Sequence, residues 1–185
     1  MVNSLRNKRQ IKKDVYNIVL DVQLKAISRL KDGAYYRDIQ NDCFKGIIKG
    51  LKELGLITGD LEEMHELGIG LSFMPHSIGH YIGFKVHDVG LQKRIYDDPE
   101  GKLNPESYKG YSPATQEILK AGMVITVEPG IYFIDTLLKQ AKESETKSKY
   151  FNFNKIEEYK EVGGVRIEDN FLITKEGYEQ LTNVK

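Results

Sequence analysis

The feature that most constrains this chain is a change of period near Gly68. Before it, apolar residues keep helical spacing. Ile11, Val15, Ile18, Val19, Val22, Ala26, Ile27 and Leu30 form one stripe, and Ile39, Cys43, Ile47, Ile48, Leu51 and Leu54 form another. The first stripe predicts an amphipathic helix over 9–31, stopped by Gly33, with residues 1–8 as a flexible start. The second predicts a helix opening at Asp38, an N-cap type residue, and closing at Gly55. Asp60 followed by Glu63 has the form of a capping box, which sets a short helix from Leu61 to Leu67. After Gly68 the pattern changes. Short apolar runs at 123–127, 130–133, 164–168 and 170–174 read as strands. Residues 97–113 carry the Pro, Gly, Asp and Tyr of a loop, and 114–120 suit one or two helical turns. The polar stretch 139–149 reads as a surface excursion. Helices first, then a small and mostly antiparallel sheet, is an α+β order.

A chain of 185 residues fits one domain, enough to bury roughly 70% of its unfolded surface. Lys+Arg and Asp+Glu both number 27, so no global field favours nucleic acid or an anionic membrane surface. The same balance offers little protection against self-association. A single cysteine, Cys43, excludes an internal disulfide and points to a reducing compartment, the cytoplasm. The basic start lacks the apolar core of a signal peptide, and no apolar run has membrane-spanning length.

The chemistry gathers in three places. Three of the four histidines, His76, His80 and His87, fall within 73–90, separated by glycines and apolar residues. Two isolated glutamates follow in apolar surroundings, Glu128 before Pro129-Gly130 and Glu168 after Val165-Arg166-Ile167. A buried carboxylate costs several kcal/mol unless a cation or hydrogen bonds compensate it. Bland alternatives stand beside the metal reading. A lone buried histidine is more often a hydrogen-bonded core residue. Glu128 could face water at a strand end, and Glu168 could pair with Arg166, two residues away on one strand face. His65, on a polar helix, reads as an exposed bystander. Imidazole with carboxylates suits Mn, Co, Fe or Zn better than cuprous copper. The chain has no P-loop, dinucleotide fingerprint, Gly-x-Ser-x-Gly elbow or His-Glu-x-x-His.

At these residues the chain resembles the pita-bread metallopeptidases of the proline-specific branch, the Xaa-Pro dipeptidases (prolidases) and Xaa-Pro aminopeptidases. The matching pieces are Phe-Met-Pro-His-x-x-Gly-His-x-x-Gly-x-x-Val-His-Asp-Val-Gly at 73–90, Pro-Gly-Ile-Tyr-Phe-Ile-Asp-x-Leu-Leu at 129–138 and Gly-Gly-Val-Arg-Ile-Glu-Asp at 163–169. Tyr-Phe-Ile-Asp and the stretch at 151–156 resemble prolidases more than the shorter aminopeptidases. The likeness runs from about residue 9 to 182 and implies a partial pita-bread fold. It implies His80, Glu128 and Glu168 as metal ligands, with Glu168 as a bridge between two metals. His76 and His87 would contact the substrate and the tetrahedral intermediate, and Arg166 would hold the bridging carboxylate. The implied reaction is metal-dependent hydrolysis of the bond before proline in small peptides with proline at the second position.

Two departures qualify the resemblance. The family's site also uses two aspartates on neighbouring strands ahead of the first helix, and Asp14, Asp21, Asp32, Asp38 and Asp42 fall on predicted helices or caps. The chain therefore reads as the C-terminal part of a catalytic domain over 1–185. It would hold at most one metal, weakly, of the two in a complete site. Second, Ala114 stands where prolidases carry an arginine that grips a dipeptide's carboxylate. The resulting expectations are a metallopeptidase half-site for a divalent metal, manganese first with cobalt, zinc or iron as alternatives, inactive alone and prone to self-association or homodimer formation. The alternative is a catalytically inactive, pita-bread-derived module that binds peptide or protein.

Overall fold

The computed structural model describes the backbone of residues 2–88 and 118–182, and side chains from residue 9 onward. The predicted loop at 97–113, most of the turn at 114–120, Ala114, and Val89-Gly90 of the histidine motif lie outside the described residues.

The elements follow the expected order. Helix α1 spans Val2–Ile27, α2 Tyr36–Glu53 and α3 Leu61–Glu66, followed by a 3-10 turn at Ile69–Ser72. Strands β1 (Val124–Val127) and β2 (Gly130–Tyr132) come next, then α4 (Asp135–Glu143) and α5 (Phe153–Tyr159). Strands β3 (Gly164–Arg166), β4 (Asp169–Ile173) and β5 (Tyr178–Gln180) close the chain. Helix α1 starts at Val2 and ends at Ile27, so residues 2–8 continue the helix ahead of its predicted start. Helix α4 overturns part of the predicted surface excursion, since Lys139–Glu143 are helical. No helix among the described residues is long and apolar enough to cross a membrane.

The chain divides into two compact units. The first comprises Met1–Val22, Phe44–Pro75 and Gly130–Arg166. Here α1 and α2 touch closely: a side chain at Gly50 would collide with Ile18, and one at Gly46 would crowd Val22. Phe73 anchors an aromatic group, stacked on Phe151 at 5.8 Å and edge-on to Phe133 at 6.0 Å. Asp60 caps α3, accepting from the Glu62 and Glu63 N–H groups at 3.0 Å each. The Glu63 carboxylate accepts from the Tyr150 hydroxyl. Strands β2 and β3 pair antiparallel, with Gly130 opposite Arg166.

The second unit comprises Gln23–Cys43, His76–Pro129 and Ile167–Lys185. Its sheet has the order β1-β4-β5, antiparallel throughout. Ile125, Val127, Phe171 and Ile173 alternate onto one face and are buried. Each such burial stabilises by about 1.5–3 kcal/mol. Gln23 of α1 meets this face, donating to the Val127 carbonyl at 3.2 Å and the Asp169 carboxylate at 3.3 Å. The free edge of β1 is taken by 78–82, through Ile82 N–H to Val124 O (2.9 Å), Thr126 N–H to His80 O (2.9 Å) and Glu128 N–H to Ile78 O (2.6 Å). The histidine-rich segment thus lies alongside the strand that leads into Glu128.

Candidate metal centre

The site is built on the second unit's sheet. Thr126 of β1 and Glu128, the residue just past its end, are two apart in extended chain and share a face. The bonds of 78–82 place His80 beside Thr126 on one flank. On the other, Val127 lies opposite Asp169, and the Ile167 N–H donates to Pro129 O at 3.3 Å. That register sets Glu128 opposite Glu168, on the face that also carries Thr126.

Thr126 links the ligand-type groups. Its hydroxyl accepts from the His80 N–H at 2.9 Å and donates to Glu128 Oε1 at 3.1 Å. Its carbonyl accepts from Tyr36 Oη at 2.5 Å. Burial, aided by Cys43, Glu128 and Tyr81, pushes the Tyr36 hydroxyl well above its usual range, so it stays a donor. Gly79 is required here: a Cβ would overlap both the Thr126 carbonyl oxygen and the Tyr36 hydroxyl.

His80 Nε2 lies 3.4 Å from Glu128 Oε1, with side-chain exposures of 15% and 10%. His80 Nδ1 is 2.9 Å from the Tyr81 carbonyl. A carbonyl only accepts, so Nδ1 carries the proton and Nε2 is left facing the carboxylate. The His87 ring sits edge-on to His80 at 4.3 Å and is itself exposed. His76 turns its Nδ1 onto the Ser77 carbonyl at 2.7 Å.

Of the six residues singled out from the sequence, the structure brings His80, His87 and Glu128 into contact and places Glu168 opposite Glu128 through the backbone. Arg166 ends β3 in the first unit and is exposed. Two expectations are corrected. Glu168 is exposed, and the buried carboxylate of that motif is Asp169, held by Gln23 and by the Thr182 hydroxyl at 2.9 Å. The reason is local: Glu168 falls between β3 and β4, and β5 pairs only with Phe171 to Ile173. His65 is half-buried, and burial lowers its pKa below the usual 6.5.

One imidazole nitrogen and one buried carboxylate, oriented by Tyr81 and Thr126, make a donor pair that fits a divalent cation. Among the described residues, no group of three or more His, Cys, Asp or Glu side chains is close enough to hold a metal ion. Thr126 and Tyr36 join the site without having stood out in the sequence. Thr126 could have been found from its spacing, two residues before Glu128 on a strand.

Residues 2–175 match the metallopeptidase family M24, and the chain belongs to that family. It is similar to the protein named "Probable Xaa-Pro aminopeptidase pepP" of Aspergillus terreus, 41% identical over 170 residues, which cover 92% of this chain and 35% of that protein. A "Probable Xaa-Pro aminopeptidase" of Botryotinia fuckeliana is 41% identical over 184 residues, covering 92% of this chain and 33% of the relative. The chain thus spans about a third of the length of the curated relatives it matches. Among solved structures, aminopeptidase PepP of Pseudomonas aeruginosa superposes with a TM-score of 0.64 at 30% identity, over 92% of this chain and 31% of that one. The zinc-substituted aminopeptidase P of E. coli, in complex with product, gives 0.66 at 26% identity, over 94% and 31%. The α+β arrangement here is therefore part of a pita-bread fold.

Proposed function

We propose that this chain carries the histidine-and-glutamate side of a metal-dependent peptidase site that hydrolyses the bond before proline. The observation that carries this reading is the approach of His80 Nε2 to Glu128 Oε1 at 3.4 Å, with the other imidazole nitrogen engaged by Tyr81. His80 and Glu128 would hold the cation, manganese being the first to test, with cobalt, zinc and iron as alternatives. Glu168 would join them from the facing segment just ahead of β4. A bound divalent metal supplies Lewis-acid polarisation of a carbonyl and activation of water.

The residues around it divide the remaining work. The Tyr81 carbonyl fixes the tautomer of His80. The Thr126 hydroxyl points the Glu128 carboxylate. His87, packed on His80 and open to solvent, can donate to a peptide carbonyl, and His76 contacts substrate from the same segment. Arg166 orients the Glu168 carboxylate. A small peptide with proline second is the proposed substrate. The names of the relatives favour an aminopeptidase over a strict dipeptidase.

The isolated 185 residues should lack hydrolytic activity, because no group of three or more metal-ligating side chains is gathered among the described residues. Calorimetric titration with Mn²⁺ should show one weak event, weakened about tenfold or more by His80→Ala. Equal binding by wild type and His80→Ala would refute the ligand reading. Hydrolysis of a Gly-Pro substrate, abolished by Glu168→Ala, would refute the proposed inactivity. The alternative, an inactive peptide-binding module, expects no metal-dependent change in the titration.

A further inference from the structure

Tyr36 and Gln40 lie four residues apart in the first turns of α2, so they share one helix face. Both are fully buried, at 0% exposure. Each reaches a different backbone. Tyr36 Oη donates to the Thr126 carbonyl at 2.5 Å, on the strand that leads into Glu128. Gln40 Oε1 accepts from the Ile78 N–H at 3.3 Å, two residues before His80. We propose that Tyr36 and Gln40 are positioning residues, a two-point polar clamp that holds the His80 segment against the Glu128 strand so that imidazole and carboxylate meet. The proposal rests on the reading of His80 and Glu128 as cation ligands.

Two further observations support the clamp. Gly79 lies between its two points of attachment, and any side chain there would strike both Tyr36 Oη and Thr126 O. The segment and the strand can approach this closely only with the phenol wedged beside a glycine. The second observation is a cost. Gln40 Nε2 is buried with no hydrogen-bond partner among the described residues. Such an orphaned donor costs about 1–3 kcal/mol. Methionine would fill the same space without that cost, so packing alone does not account for an amide at this place.

The test compares Tyr36→Phe, Gln40→Met and the core control Ile173→Val in the 185-residue chain. Amide hydrogen exchange is read at Ile78, His80, Thr126 and Glu128, and at Phe171 and Ile173 of β4. The clamp predicts that Tyr36→Phe and Gln40→Met each speed exchange at the first four amides about tenfold, leaving the β4 amides unchanged. Ile173→Val should act on β4 without that selectivity. Unchanged exchange at the four amides, or a rise shared equally with β4, overturns the proposal. Should Tyr36→Phe fail to fold, Gln40→Met alone decides, because it keeps side-chain volume and removes the Ile78 contact together with the orphaned donor. Mn²⁺ titration gives the second readout: affinity should fall about tenfold in Gln40→Met, with a melting temperature near that of wild type, because the Ile78 N–H it leaves unpaired offsets the orphaned Nε2 it removes. If the wild-type chain binds no Mn²⁺, the ligand reading fails, while the exchange data still decide the clamp.

Discussion

Gly79 sets the tightest steric tolerance around the candidate centre. Its neighbours are a backbone carbonyl and a buried phenol, neither of which can swing away as a flexible side chain would. Gly79→Ala should therefore destabilise the chain by about 1–3 kcal/mol, the usual cost of forcing extra volume into a filled site. The check is urea unfolding of the two proteins; equal midpoints would contradict the packing described. At this scale the sequence was informative about residue type and less so about environment. Glu128 was legible as a candidate because it stands isolated in an apolar run, whereas His80 is one of three neighbouring histidines and is singled out only by the motif resemblance. Glu168 has the sequence pattern of a buried carboxylate, yet the burial belongs to Asp169, its neighbour. Tyr36 and Gln40 were invisible, since their bonds join residues far apart in the chain. A stripe of apolar residues gives no sign of polar ones working between its members.

At the scale of elements, α2 and α3 were read close to their ends because each has a long stripe or a capping residue. Helices α4 and α5 were missed. Each buries a short stripe, Leu138 with Ala141 and Ile156 with Tyr159, too brief to show a period among so many charges. Strand β5 was missed for a related reason: Tyr178, Glu179 and Gln180 are all exposed, so no alternation marks it. Helix α3 carries a pH response. Burial holds the His65 imidazole below its usual 6.5, so the folded state binds its proton less readily than the unfolded chain. The stabilisation from neutral His65 is complete above 6.5 and is lost as pH falls through the lowered folded value. Urea unfolding on either side of 6.5 should show a steeper acid-side loss in wild type than in His65→Gln. Parallel profiles would mean that His65 titrates as it does in the unfolded chain.

For the whole molecule, the order of helices before strands was legible from the change of period, and the three motifs together carried the family. The pairing of the histidine segment with β1 was not, because glycine-rich sequence hides an extended conformation. Near-neutral charge and an edge strand with Tyr178 and Leu181 exposed lead to an expectation of self-association. Sedimentation should show mass above a monomer at high concentration, and a clean monomer would count against it. The most direct measurement for the molecule as a whole is pulsed electron paramagnetic resonance on Mn²⁺ added to the chain with isotope-labelled histidine. The predicted result is coupling to a single imidazole nitrogen, kept in His76→Ala and His87→Ala and absent in His80→Ala. A spectrum with no nitrogen coupling, or one that persists without His80, would contradict the assignment.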